Sequence, residues 1–176
     1  TMAKHLEAGR ILFGADEKTS PRYKRYLEEQ SERVPYATFT QARMPGSKRV
    51  ETILGGRRFP NPKDHEVLMR WIGAIAPQDG IVLDFFAGSG STAEAVMRLN
   101  AADGGRRQAV IVTNNELSAQ TASALRRAGH LPGDPEWESE GVFEKVTRPR
   151  VETIVTGIRE DETLYSGGLD ENVAFF

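Results

Sequence analysis

Asp84-Phe85-Phe86-Ala87-Gly88-Ser89-Gly90-Ser91-Thr92 joins the apolar run Ile81-Val82-Leu83 to a stretch of helical character that continues to about Leu99. The apolar run, closed by a carboxylate, has the composition of a strand buried on both faces, as in a parallel sheet. The glycines mark a turn, because they accept positive φ and let the backbone approach a ligand closely. Strand, glycine-rich turn and helix in that order form the junction of a βα unit. The amide N–H groups that open such a helix favour electron-rich ligand atoms.

The same alternation extends to both sides. Upstream, after Asn61-Pro62, the residues Val67, Leu68, Trp71, Ile72 and Ile75 recur at helical spacing and stop near Pro77. Asp79-Gly80 then turns the chain into the strand. Downstream, Asp103-Gly104-Gly105 reads as a loop and residues 108–113 as a second buried strand, ending at Asn114-Asn115-Glu116. Ser118 is placed to cap a third helix, and Gly129 to stop it. Helix, strand, helix, strand, helix predicts an α/β fold with a right-handed, doubly wound, Rossmann-like parallel sheet, incomplete within these residues.

The flanks differ in character. Arg10-Ile11-Leu12-Phe13-Gly14 reads as a short strand, and Ser20-Pro21 opens a predicted short helix over 23–29. Pro21, Pro35, Pro45-Gly46 and Gly55-Gly56 make the surrounding stretch loop-rich. In the final third Val151, Thr153 and Val155 alternate, and Gly157, Gly167 and Gly168 punctuate turns, so a β-rich extension is expected. Three segments result: a basic one over 1–58, an α/β core over 59–133 and an acidic extension over 134–176. The chain opens on Thr1 and closes on Asn172-Val173-Ala174-Phe175-Phe176, which suggests a piece of a longer protein.

Composition bounds the function classes. The 176 residues are 39% hydrophobic and 27% charged, as in an ordinary globular domain, and no apolar run approaches the roughly 20 residues of a membrane span. Cysteine is absent, which excludes disulfides and thiolate metal sites and fits a cytoplasmic protein. His5, His65 and His130 lack metal-ligand spacing. The net charge of −2 hides an asymmetry. Residues 21–63 carry ten Lys and Arg against four Glu, whereas residues 134–176 carry eleven acids against four bases. A basic N-terminal third suits a polyanion, and equally suits a solvated surface. Arg22, Lys24 and Arg25, interleaved with Tyr23 and Tyr26, are the candidate DNA-binding residues.

Three ligand classes compete for the turn. A Walker-type phosphate loop needs Gly-Lys-Ser/Thr, and no lysine is present. Gly88, Gly90 and Ala93 match the dinucleotide pattern G-x-G-x-x-A, but Asp84 immediately before the turn would repel a pyrophosphate. That carboxylate would instead welcome the ammonium of a methionine moiety, which favours S-adenosyl-L-methionine. Glu116, at the end of the next strand, is placed to accept hydrogen bonds from ribose hydroxyls. A turn that serves only tight strand-to-helix packing remains open.

Phe59-Pro60-Asn61-Pro62-Lys63, the 67–75 helix and Val82-Leu83-Asp84-Phe85-Phe86-Ala87-Gly88-Ser89-Gly90 together resemble the DNA adenine-N6 methyltransferases of the β permutation class. More narrowly, they resemble the modification subunit of type III restriction–modification systems. Arg10-Ile11-Leu12-Phe13-Gly14, Pro21-Arg22-Tyr23-Lys24-Arg25-Tyr26-Leu27, Val112-Thr113-Asn114-Asn115-Glu116, Val146-Thr147-Arg148-Pro149-Arg150 and Glu171-Asn172-Val173-Ala174-Phe175-Phe176 extend the resemblance over nearly the whole chain. It implies a cofactor site built from Asn61, Pro62 and Lys63 at the methionine end. Asp84, Phe85, Phe86, Ala87, Gly88, Ser89 and Gly90 would wrap the cofactor, and Glu116 would hold its ribose. It also implies DNA, a restriction subunit and a second methyltransferase copy as partners. Ser91 stands where threonine is usual.

The resemblance implies one element that these residues lack. Adenine-N6 transfer uses an Asp/Asn-Pro-Pro-Tyr-type turn, whose polar side chain and prolyl carbonyl accept hydrogen bonds from the amino group while the aromatic ring stacks on the flipped base. The nearest string, Asp134-Pro135-Glu136-Trp137, lacks the second proline and reads as a loop and helix start. No catalytic residue is therefore assigned, and residues 1–176 alone are expected to be inactive. The alternatives are a non-catalytic cofactor- or DNA-binding module and a nicotinamide-dependent dehydrogenase domain.

Overall fold

The computed structural model describes residues 2–29, 38 and 46–176. The chain divides into two compact units, Thr1–Thr40 and Gln41–Phe176. Arg33, Pro35, Arg43 and Pro45, all counted in the basic, loop-rich reading, lie outside the described residues.

In the first unit helix α1 (Met2–Glu7) precedes strand β1 (Ile11–Leu12), which pairs antiparallel with β2 (Arg22–Tyr23). A single 3₁₀ turn, Leu27–Glu29, follows. The strand expected around Ile11 is present, but the helix expected over 23–29 is not. Arg22 and Tyr23 instead pair with Leu12 and Ile11, a strand environment that suits an aromatic residue. Arg10 ties the unit together: its guanidinium pairs with Glu29, donates to the Tyr23 hydroxyl at 3.3 Å and lies 5.3 Å from the Tyr26 ring centre.

The second unit begins with α2 (Gly46–Leu54), in a stretch whose prolines and glycines read as loop. Its Val50, Ile53 and Leu54 stand at i, i+3 and i+4 and are all buried. The helix belongs to this unit, so the sequence boundary at 58 does not coincide with the division of the structure. Helix α3 (His65–Ile75) follows, its N-terminus capped by Asp64, whose carboxylate accepts from the Glu66 amide. Strand β3 (Ile81–Asp84), α4 (Ser91–Asp103), β4 (Gln108–Ile111) and α5 (Ala119–Ala128) then alternate as read, with Ser118 and Gly129 capping α5.

β3 and β4 are parallel, in register from Ile81 opposite Gln108 to Asp84 opposite Ile111. Among the described residues this parallel sheet has two strands. The mixed α/β character thus holds, and a full doubly wound sheet is not seen. Val82, Asp84, Ala109 and Ile111 are half-buried, whereas Ile81, Leu83 and Val110 are exposed. No helix among the described residues is long and apolar enough to cross a membrane.

The expected β-rich extension is corrected by the structure. After α6 (Pro135–Glu138), a π-helical turn Phe143–Thr147 runs directly into α7 (Arg148–Thr156). Val151 and Thr153 are β-branched and alternate, but the stripe that decides the packing is helical: Thr147, Arg150, Val151 and Ile154, at spacings of three and four, are all buried. Val151, Ile154 and Val146 complete one core with Val50, Ile53 and Leu54 of α2 and Ala93 and Met97 of α4. The β character that remains is one isolated bridge, Ile158 with Leu164. Asp134-Pro135-Glu136-Trp137 does open a helix, with Pro135 in its first turn and Trp137 buried.

Candidate functional site

The turn leaves β3 at the carboxyl edge of the parallel pair, and Asp84 builds it. One oxygen of its carboxylate accepts from the Phe86 amide at 2.9 Å, the other from the Thr92 hydroxyl at 2.6 Å. The turn is stitched to β4 by the Ala87 amide, which donates to the Val112 carbonyl at 3.0 Å, and it closes through the Gly90 amide to the Ala87 carbonyl at 2.8 Å. Gly88 (φ 48°) and Gly90 (φ 74°) both occupy the left-handed region, which side chains disfavour. A Cβ on Gly90 would also stand 3.2 Å from the Thr147 methyl. Phe85 and Phe86 project outward, Phe86 with 87% of its surface exposed. No acceptor among the described residues meets the amide N–H of Gly88 or Ser89, although Ser89 is only 4% exposed. Ser89 is buried and Gly88 half-buried, and buried amides are seldom left unpaired, so the Ser89 amide above all is a donor without a described acceptor.

Asn61, Pro62 and Lys63 are brought to the same place. The Ser91 hydroxyl, at the start of α4, donates to the Lys63 carbonyl at 2.9 Å. On the other side the backbone of Gly46 in α2 sits so close that a Cβ there would meet the Pro62 carbonyl at 2.5 Å. The side chains of Asn61 and Lys63 remain exposed.

Glu116 lies beyond β4 with an exposed side chain that has no partner among the described residues. Its carbonyl accepts from the Val142 amide at 2.9 Å. The neighbouring Asn115 (φ 52°) does the structural work there: its side chain donates to the Glu138 carbonyl and carboxylate, both at 2.8 Å, and accepts from the Phe143 amide at 3.0 Å. Asn115 thereby fixes the backbone that presents Glu116.

Sequence reading assigns no role to what stands behind the turn. Glu94 on α4 is fully buried, and three arginines converge on it. Arg49 and Arg98 share one carboxylate oxygen at 2.9 and 2.7 Å, and Arg150 of α7, also fully buried, takes the other at 2.5 Å. Burial alone would push the Glu94 carboxyl up, but the charges of Arg150 and His65 and the hydrogen bonds from the arginines outweigh it and hold the pKa at about 2. The remaining nitrogen of Arg150 donates to the Ser89 carbonyl, the Ser89 hydroxyl and the Ser91 hydroxyl, at 2.9, 2.9 and 3.0 Å. Thr147 donates to the Gly88 carbonyl at 2.6 Å.

Arg22, Lys24 and Arg25 belong to the first unit, with Arg22 and Arg25 exposed and Lys24 half-buried. Tyr23 stacks edge-on against His5 at 4.9 Å, and Tyr26 lies under Arg10. The basic count of residues 21–63 overstates the charge free for a polyanion, because Arg49 pairs with Glu94 and Arg58 with Glu160.

A strand, a glycine turn, a carboxylate before it and a second carboxylate after the next strand form an arrangement that suits an adenosine-containing ligand at the edge of an α/β sheet. Comparison with known proteins gives the class: residues 9–115 match the model of the DNA methylase family, and the chain belongs to that family. Among its relatives is the Mod subunit of the type III restriction-modification enzyme StyLTI from Salmonella typhimurium, 29% identical over 85% of this chain and 22% of that protein. The type II methyltransferase M.KpnI from Klebsiella pneumoniae is 36% identical over 46% of this chain and 19% of its own length. The Mod subunit of the type III enzyme EcoPI from Escherichia phage P1 is 37% identical over 43% of this chain and 12% of its own length. The chain thus spans no more than about a fifth of the relatives it matches, and the resemblance read from its motifs is borne out.

Proposed function

We propose that this chain is the S-adenosyl-L-methionine-binding part of a site-specific DNA adenine-N6 methyltransferase in a cytoplasmic restriction–modification system. The observation that carries the reading is the turn itself. Two amides, of Gly88 and Ser89, find no acceptor among the described residues and follow the carboxylate of Asp84, while the exposed carboxylate of Glu116 follows the next strand, in a chain of the DNA methylase family.

The residues present fit the cofactor. Asp84 retains acceptor capacity beyond its two internal hydrogen bonds and would receive the ammonium of the methionine moiety. The amides of Gly88 and Ser89 would donate to electron-rich atoms, Glu116 would accept from the ribose hydroxyls, and the exposed Phe86 ring would lie against the ligand. Asn61, Pro62 and Lys63, anchored through the Ser91 hydroxyl, would close the methionine end. When bound, the cofactor supplies an electrophilic methyl group on a sulfonium. Arg22, Lys24 and Arg25 would meet DNA phosphates, positioning the duplex without specifying its sequence. A restriction subunit and a second methyltransferase copy are the further partners.

No Asp/Asn-Pro-Pro-Tyr-type turn occurs within these residues, so residues 1–176 should bind the cofactor without transferring its methyl group. Incubation with DNA and methyl-labelled S-adenosyl-L-methionine tests this. Label in adenine would relocate the catalytic turn to this chain, with residues 134–137 the first place to look.

A further inference from the structure

Two peptide units of the turn are held from behind by groups from one short stretch, the entry of α7. In a trans peptide the C=O and N–H of one unit point in opposite directions. The Thr147 hydroxyl takes the Gly88 carbonyl at 2.6 Å, which aims the Ser89 N–H the other way. Arg150 takes the Ser89 carbonyl at 2.9 Å, which orients the Gly90 N–H. That N–H donates to the Ala87 carbonyl at 2.8 Å, and so aims the Gly88 N–H away as well. The two amides without an acceptor are therefore set, unit by unit, by Thr147 and Arg150.

Arg150 suits the task because it is fixed at its other edge. Its guanidinium spans from Glu94 on one side to Ser89 and Ser91 on the other, with no exposed surface. A planar fork makes these contacts together, whereas a lysine ammonium has a single nitrogen to place.

We infer that Arg150 and Thr147 are positioning residues for the ligand turn, a clamp from α7 that holds the Gly88 and Ser89 amides in their binding orientation. The inference rests on the ligand reading above, and it ties the segment around Thr147-Arg148-Pro149-Arg150 to cofactor affinity.

The test uses Arg150→Lys and Thr147→Val in the full chain, with Arg98→Gln as control, since Arg98 touches Glu94 but makes no contact with the turn among the described residues. Three quantities are measured: amide hydrogen exchange of residues 85–91 without ligand, the dissociation constant for S-adenosyl-L-methionine by calorimetry, and Tm. Both clamp variants should accelerate exchange in the turn and weaken binding by about threefold to tenfold, the scale of one hydrogen bond. Arg98→Gln should lower Tm while changing affinity less than about twofold, within the neutral range for a contact remote from the ligand. Affinities within twofold of wild type in both clamp variants, or equal weakening in the control, overturn the inference. If the wild-type chain binds no S-adenosyl-L-methionine, the ligand reading falls, and exchange alone decides: unchanged protection of residues 85–91 in both variants refutes the clamp. Thr147→Val removes one hydroxyl at constant shape, so it decides the matter should Arg150→Lys fail to fold.

Discussion

Glu94→Gln isolates the charge at the centre of the second unit. The substitution keeps side-chain volume but removes the counter-charge from Arg49, Arg98 and Arg150. Arg49 and Arg98 retain partial access to water, with a third and a quarter of their side chains exposed, and so lose little. Arg150 is fully buried, and its charge would be left facing a neutral amide. Removing one partner of a buried pair costs about 3–5 kcal/mol, and at about 3–4 °C per kcal/mol for a unit of this size Tm should fall by about 9–20 °C. A pH signature accompanies the loss. The Glu94 pKa lies at about 2 in the folded state against 4.5 unperturbed. Folding therefore depresses it, and its contribution is complete above about 4.5 and is lost as pH falls towards 2. That difference is worth about 3 kcal/mol. Thermal melts by circular dichroism between pH 7 and pH 2.5 should show a wild-type decline below pH 4.5 that is shallower in the variant by this amount. A Tm within 3 °C of wild type at pH 7, with parallel acid profiles, would refute the argument that this carboxylate neutralises the cluster.

Two further outcomes follow from particular residues. Gly157 closes α7 at φ 78°, where a Cβ would stand 2.3 Å from the Ser166 carbonyl. Gly157→Ala should therefore destabilise the second unit by about 2 kcal/mol or more, read as a shifted urea midpoint at constant slope. Reversing charge at Arg22, Lys24 and Arg25 in the full chain should weaken DNA binding regardless of sequence. It should also flatten the plot of log affinity against log salt by about 0.9 for each phosphate that is no longer neutralised. An unchanged slope would place the DNA elsewhere.

What is legible in the sequence is legible for local reasons. The βα junction can be read because Gly88 and Gly90 sit between an apolar run and a helix start, and both do adopt positive φ. Ser118 and Gly129 announce the ends of α5 through their own chemistry. Helix α2 escapes such a reading because Pro45-Gly46 dominates it, although Val50, Ile53 and Leu54 carry a helical stripe. Helix α7 reads as strand because β-branched residues alternate there. Its burial stripe becomes decisive only against α2 and α4, a tertiary effect that local preference does not record. The clamp is illegible for the same reason. Thr147 and Arg150 lie about 60 residues from the turn they hold, and only the fold brings them to it. A signal exists even so, since Val146-Thr147-Arg148-Pro149-Arg150 is among the strings that resemble the family.

Calorimetric titration of S-adenosyl-L-methionine into the wild-type chain and into Asp84→Asn tests whether the turn after β3 holds this cofactor through the Asp84 charge. Asparagine can still accept from the Phe86 amide and pair with the Thr92 hydroxyl, so the turn should persist while its charge is lost. The wild type should bind one equivalent without competition from NAD, and Asp84→Asn should bind about tenfold or more weakly, the value of one charge-assisted hydrogen bond. Equal affinity in Asp84→Asn, or NAD bound in preference to S-adenosyl-L-methionine, would contradict this reading.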